Sequence, residues 1–234
     1  MILRLHEIDG HPVGGKARGL KILRELGFKV PEAVVLLHPE PEELKDAIVK
    51  HHLSVLGPGP KAVRSSAVSE DGHSASFAGQ FESYMNLHTF DEIKTAIVKC
   101  IEAAGAERVR AYTGSLLSEA DLRISVILQN MVDASVAGVV FSVNPVNNRR
   151  DKLLINAVAG HGEDLVSGKK DACHYEVFRS GSNIRTEALK NGHLLNEELL
   201  GQIVGEQRKP KFFSIPRSTW NGPSTRPVFF TGCR

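Results

Sequence analysis

KAVRSSAVSEDGHSASFAGQFESYMNL, residues 61–87, sets one arginine among hydroxyls, small residues and glycines. KAVRSSA reads as a strand, FESYMNL alternates like another, and a loop of small residues joins them. Arg64 stands where the first strand gives way to Ser65 and Ser66. A guanidinium offers a planar fork of donors that suits phosphate oxygens, and neighbouring hydroxyls and loop N–H groups add to it. Ser76, Phe77, Ala78, Gly79 and Gln80 form a loop whose glycine lets backbone approach a ligand closely. A polar hairpin with a paired arginine explains the same residues. Taken alone they leave both readings open.

Upstream, GGKARGL at 14–20 puts Gly14, Gly15 and Lys16 at the start of a helix. Backbone N–H groups, the positive end of the helix dipole and an ammonium would converge there on an anion. The GxxxxGK[ST] spacing is absent, because Ala17 follows the lysine. Leu20, Ile22, Leu23 and Leu26 make residues 15–26 an amphipathic helix ended by Gly27. VPEAVVLL at 30–37 reads as a strand, and 41–56 as a weaker helix closed by GPGP at 57–60.

Downstream, Ile93, Ala96, Ile97, Cys100, Ile101 and Ala104 fall on one helical face, and Thr89 with Glu92 has capping-box spacing. That places Cys100 in a core. Residues 123–132, 137–145 and 152–160 read as three successive antiparallel strands, followed by a strand at 174–179 and a short helix at 195–206. Gln129 and Met131 share one face at i and i+2, as a base-binding wall or as core. Residues 157–169, AVAGHGEDLVSGK, are a catalytic loop or a long turn. The pattern is α+β, helices mixed with a meander, not regular βαβ units.

The 234 residues are 41% hydrophobic and 24% charged, as in an ordinary soluble globular protein. Basic residues number 29 and acidic 27, a net charge of +2, which argues against a dedicated nucleic-acid binder. Cys100, Cys173 and Cys233 are scattered, with neither CxxC spacing nor a disulfide framework. The ten histidines show no HxxxH or HxH pair, and no metal ligands are assigned. No window reaches the roughly 18 apolar residues of a membrane span, and the N-terminus does not read as a signal peptide. A cytoplasmic setting is the expectation.

In their order, GGKARGL, AVRSSAVSEDGHSASFAGQFESYMNL, VILQNMVDASVAGVVFSVNP and INAVAGHGEDLVSGKKDACHYEV closely resemble the nucleotide-binding part of phosphoenolpyruvate synthase and pyruvate phosphate dikinase, which rifampin phosphotransferases share. The blocks span roughly residues 10–180. The resemblance implies an ATP-grasp fold with two α+β lobes and ATP as ligand, with magnesium. It implies a first lobe over 1–120, a second over 121–216 and a divergent tail at 217–234. It implies that Lys16 and Arg64 contact phosphates and carry the chemistry, that Ser76 to Gln80 covers them, and that Gln129, Met131 and Val132 lie by the adenine. The family reaction moves the β-phosphoryl of ATP onto a histidine of a swivelling domain, which then phosphorylates pyruvate in a barrel domain. Those partners would be on another chain, because 234 residues leave no room for them.

The tail departs from the family. Members carry "PQDIEWA" and later "LQSRP", whose glutamate and glutamine help hold magnesium. Here the place reads KFFSIPRSTWNGPSTRPVFFTGCR, residues 211–234, and the magnesium site is expected to be incomplete. RSTWNGPST can be encoded so that a neighbouring frame spells QHVEWAID, so a frameshift from about Arg217 is expected. Two functions follow: the ATP-binding part of a phosphotransferase, inactive alone, or a non-catalytic nucleotide-binding or interaction module. An unrelated anion-binding protein is a third and weaker option.

Overall fold

The computed structural model describes residues 1–41, 44–67, 83–112, 123–141, 151–166, 168–178, 186–190, 194–207 and 227–232. The chain divides into two compact units, Met1–Met131 and Val132–Arg234. Both are α+β with antiparallel sheets, as the sequence pattern implies.

In the first unit the elements are β1 (Ile2–Arg4), a short 3-10 turn (Leu5–Glu7), α1 (Gly15–Glu25), β2 (Ala33–Leu37), α2 (Asp46–Leu56), β3 (Lys61–Ala67), β4 (Ser83–Leu87), α3 (Phe90–Tyr112) and β5 (Ile124–Asn130). The sheet order is β1-β2-β5-β3-β4, so the last strand in sequence lies at the centre. Val34, Leu36, Val63, Ala67, Ile124, Val126 and Leu128 form one core with residues of α2 and α3, Val49, Ile97 and Cys100 among them. Ala33, Val35 and Ile127 turn the other way and join Leu5, Val13 and Ala17. Helices thus cover both faces, and β5 is buried along nearly its whole length because neither face meets water.

Local signals define the helix ends. The Glu92 carboxylate accepts the Thr89 N–H at 3.0 Å, and the Glu92 N–H reaches the Thr89 hydroxyl at 3.2 Å, closing the expected capping box. At the end of α1, Phe28 N–H donates to Leu23 O and Gly27 N–H to Arg24 O, both at 3.0 Å. This is a Schellman closure, and it needs Gly27 at φ +82°.

The second unit holds β6 (Val136–Phe141), β7 (Lys152–Ala159), α4 (Glu163–Val166), β8 (Cys173–Phe178), β9 (Thr186–Lys190), α5 (Glu197–Gln207) and β10 (Pro227–Gly232), in the order β10-β6-β7-β8-β9. Val140, Leu153, Ile155, Ala157, Tyr175 and Val177 pack with Leu195 and Leu200 at α5. The Tyr175 hydroxyl accepts the N–H groups of Leu194 (2.8 Å) and Leu195 (3.0 Å), which ties that helix start to the sheet.

One expectation changes. Strand 123–132 is not the first of the meander: it pairs with β2 and β3, and the meander is β6-β7-β8-β9. The compact units part at Met131/Val132, because β5 completes the first sheet. The tail, to which the sequence reading gave no element, supplies β10, paired with β6 from Pro227↔Phe141 to Gly232↔Val136.

Candidate functional site

Alternation on β3 sends Val63 and Ala67 into the core under α2 and α3, and so Ala62, Arg64 and Ser66 to the α1 face. On β5 the same face carries Ser125, Ile127 and Gln129. Register sets Arg64 opposite Ile127, Ser66 opposite Ser125 and Ala62 opposite Gln129. Arg64 and Gln129 are therefore diagonal neighbours, a spacing of roughly 7–8 Å in antiparallel sheets. Arg64 is half-buried and Gln129 buried.

The N-terminus of α1 meets that face. The Ser66 hydroxyl, fully buried, accepts the Ala17 N–H at 3.2 Å, filling one of the helix's orphan donors from 49 residues away. Gly14 precedes the helix at φ 79°, ψ 166°, and a Cβ there would meet the Ser66 backbone and hydroxyl at 2.6 Å. Only glycine permits this approach. The Lys16 ammonium donates to Ser65 O at 3.2 Å, beside Arg64. The first turn of α1 contains no acid, so no side-chain carboxylate of that turn offsets its positive end.

The Lys16 side chain thus reaches the strand that carries Arg64. Ser66 also has a part that the sequence did not suggest: its hydroxyl oxygen caps the start of α1. Gly14 and Ser66 form a contact that sequence reasoning missed, and the doubled glycine was its one visible signal. Met131 follows the end of β5, with its N–H on Pro60 O at 3.0 Å, and is half-exposed, not core. Val132, also half-exposed, opens the second unit. Ser76, Phe77, Ala78, Gly79 and Gln80 lie outside the described residues.

An anionic nucleotide fits this arrangement of ammonium, guanidinium and acid-free helix start. Among the described residues no three His, Cys, Asp or Glu side chains gather into a metal site. Glu176 is paired with Lys152 and Asp164 with Lys170, each at 2.5 Å. The 157–169 stretch contains α4, and Lys169 and Lys170 donate their N–H groups to Asp164 O. No helix among the described residues is long and apolar enough to cross a membrane.

Residues 33–194 match the family described as the pyruvate phosphate dikinase AMP/ATP-binding domain, well over half of the chain. The chain belongs to this family. Arg64, Gln129, Met131 and Val132 fall inside the match, and Lys16 precedes it. The chain is similar to the prodigiosin synthesizing transferase PigC of Serratia marcescens, at 28% identity over 94% of this chain and 27% of that protein. It is 35% identical to a probable phosphoenolpyruvate synthase of Pyrococcus horikoshii over 55% of this chain and 16% of that one. It is 37% identical to a rifampicin phosphotransferase of Bacillus cereus over 55% and 15%. The chain therefore spans about a quarter or less of the length of these relatives.

Proposed function

We propose that this chain is the ATP-binding part of a phosphotransferase of the phosphoenolpyruvate synthase type, with an ATP-grasp organisation and a cytoplasmic setting. Lys16 and Arg64 hold the phosphates, residues 76–80 cover them, and Gln129, Met131 and Val132 stand on the adenine side. Membership in an AMP/ATP-binding family supports nucleotide binding. The observation that carries the site assignment is the Lys16 ammonium on Ser65 O, one residue from Arg64, at an acid-free helix start.

An imidazole nitrogen of a histidine in a separate domain attacks the β-phosphorus of ATP, the bond to the α-phosphate oxygen breaks and AMP leaves. The β,γ-pyrophosphoryl group on the histidine then loses its γ-phosphoryl to water as inorganic phosphate, leaving phosphohistidine. Such transfer is mostly positioning and charge stabilisation, so the cations of this chain do the work open to it. Magnesium would supply further charge neutralisation when bound with ATP.

Calorimetric titration with ATP and a non-hydrolysable analogue tests binding. Incubation with a supplied histidine domain then tests transfer, read as acid-labile phosphohistidine and AMP. Binding with transfer supports the proposal, binding without transfer leaves a non-catalytic nucleotide module, and no binding ends both.

A further inference from the structure

Lys61 is a buried lysine that the phosphate site does not use. It lies 3% exposed at the first position of β3, on the α2 side of the sheet. Its ammonium donates to Gly57 O at 2.8 Å and Gly59 O at 2.7 Å, both in the GPGP turn that ends α2. Its register partner across the sheet is Asn130, the last residue of β5. The Asn130 side-chain amide donates to Leu56 O at 2.8 Å, and its backbone N–H to Glu32 O at 2.9 Å. One residue on, the Met131 N–H donates to Pro60 O at 3.0 Å. Three carbonyls at the α2 end and its turn are thus held by two side chains, and the turn in turn holds the residue after β5.

We propose that Lys61 and Asn130 are positioning residues for the adenine side of the nucleotide site. They fix the 57–60 turn beneath Met131 and so set where Gln129, Met131 and Val132 stand. The inference rests on the adenine-side assignment proposed above. Burial pushes the Lys61 amine below its ordinary value, as expected for an ammonium drawn out of water. A cap needed only for helix stability could be built from an exposed side chain. This one keeps a charge buried at the point where the chain leaves the first unit.

The test compares ATP with GTP on the full chain, by calorimetry, for Lys61→Met, Asn130→Ala and Val49→Ala. Val49 is fully buried in α2 and makes a core contact away from the turn, so its loss lowers stability alone. The preference for ATP over GTP should fall about three- to tenfold in Lys61→Met and Asn130→Ala, the size of a lost hydrogen bond. In Val49→Ala it should stay at the parent value. A parent that binds neither nucleotide removes the functional reading itself. A parent that binds both equally removes the adenine wall, and this inference with it. A parent that prefers ATP, with Lys61→Met or Asn130→Ala folded and equally selective, overturns the positioning role and leaves ATP binding intact.

Discussion

A methyl group on Gly14 would stand 2.6 Å from the Ser66 hydroxyl oxygen. That oxygen already accepts the Ala17 N–H, so helix α1 and strand β3 are joined at the point where Lys16 crosses to Ser65. Gly14→Ala would force both the contact and a backbone at φ 79°, ψ 166° that suits glycine almost alone. Overpacking costs about 1–3 kcal/mol and such a backbone about as much again. The urea midpoint of Gly14→Ala should fall accordingly. An unchanged midpoint would show that the helix start is not seated on β3 in this way.

Arg64 and Lys16 should each contribute to ATP affinity. A hydrogen bond to a charged group is worth about 1.5–3 kcal/mol, so Arg64→Ala should weaken binding roughly 10- to 150-fold. Arg64→Lys keeps the charge but loses the fork, and should recover only part of it. Lys16→Ala should behave like Arg64→Ala. Calorimetry with a non-hydrolysable analogue measures all three. An Arg64→Ala protein that binds as tightly as the parent would refute the phosphate assignment.

Acid should loosen the start of α3. The Thr89 N–H, and then the His88 N–H, hold the Glu92 carboxyl below its ordinary value of 4.5. A carboxylate with a depressed folded pKa contributes stability that is complete above the unfolded pKa and lost as pH falls through the folded one. The stability gap between the parent and Glu92→Gln should therefore be present at neutral pH and close as pH falls below 4.5. Thermal unfolding of both proteins across that range is the check, and a gap independent of pH counts against it.

What the sequence made legible was local. Thr89 and Glu92 lie three residues apart, and Leu23 to Phe28 closes α1 within a turn and a half, so neighbouring letters suffice. Cys100 was placed in the core by its helical spacing, and it is buried. β5 was assigned to the wrong neighbours because its partners, Ala33–Leu37 and Lys61–Ala67, are far away in sequence. Its consecutive Val126, Ile127 and Leu128 put apolar side chains on both faces, which is the mark of a strand covered on both sides. In the site, the residue types of Lys16 and Arg64 suggested an anion. The cap from Ser66 to Ala17 spans 49 residues, and no local pattern encodes it. The Lys61 and Asn130 contacts to the GPGP turn were illegible for another reason: a lysine beginning a strand reads as solvent-facing until its neighbours are known.

The coding DNA should show a second reading of the tail. The family match ends at residue 194, and the resemblance of KFFSIP at 211–216 to the family segment lies beyond it and is what the gene sequence tests. RSTWNGPST, from Arg217, can be written CGC AGC ACG TGG AAT GGG CCA TCG ACG. From the third base this reads CAG CAC GTG GAA TGG GCC ATC GAC, or QHVEWAID, with the glutamate of the family's "PQDIEWA" restored. These codons are one choice among synonyms, so the gene itself decides. The chemistry gives a second readout. Thr219 and Trp220 cannot supply the carboxylate oxygen that a hard divalent cation prefers. ATP affinity of the present chain should then rise only weakly with added magnesium, while a chain rebuilt in the neighbouring frame should respond more strongly. A gene with no glutamate–tryptophan pair in either neighbouring frame would make the tail a genuine divergence. Equal magnesium dependence in the two proteins would show that this glutamate is not the one that matters.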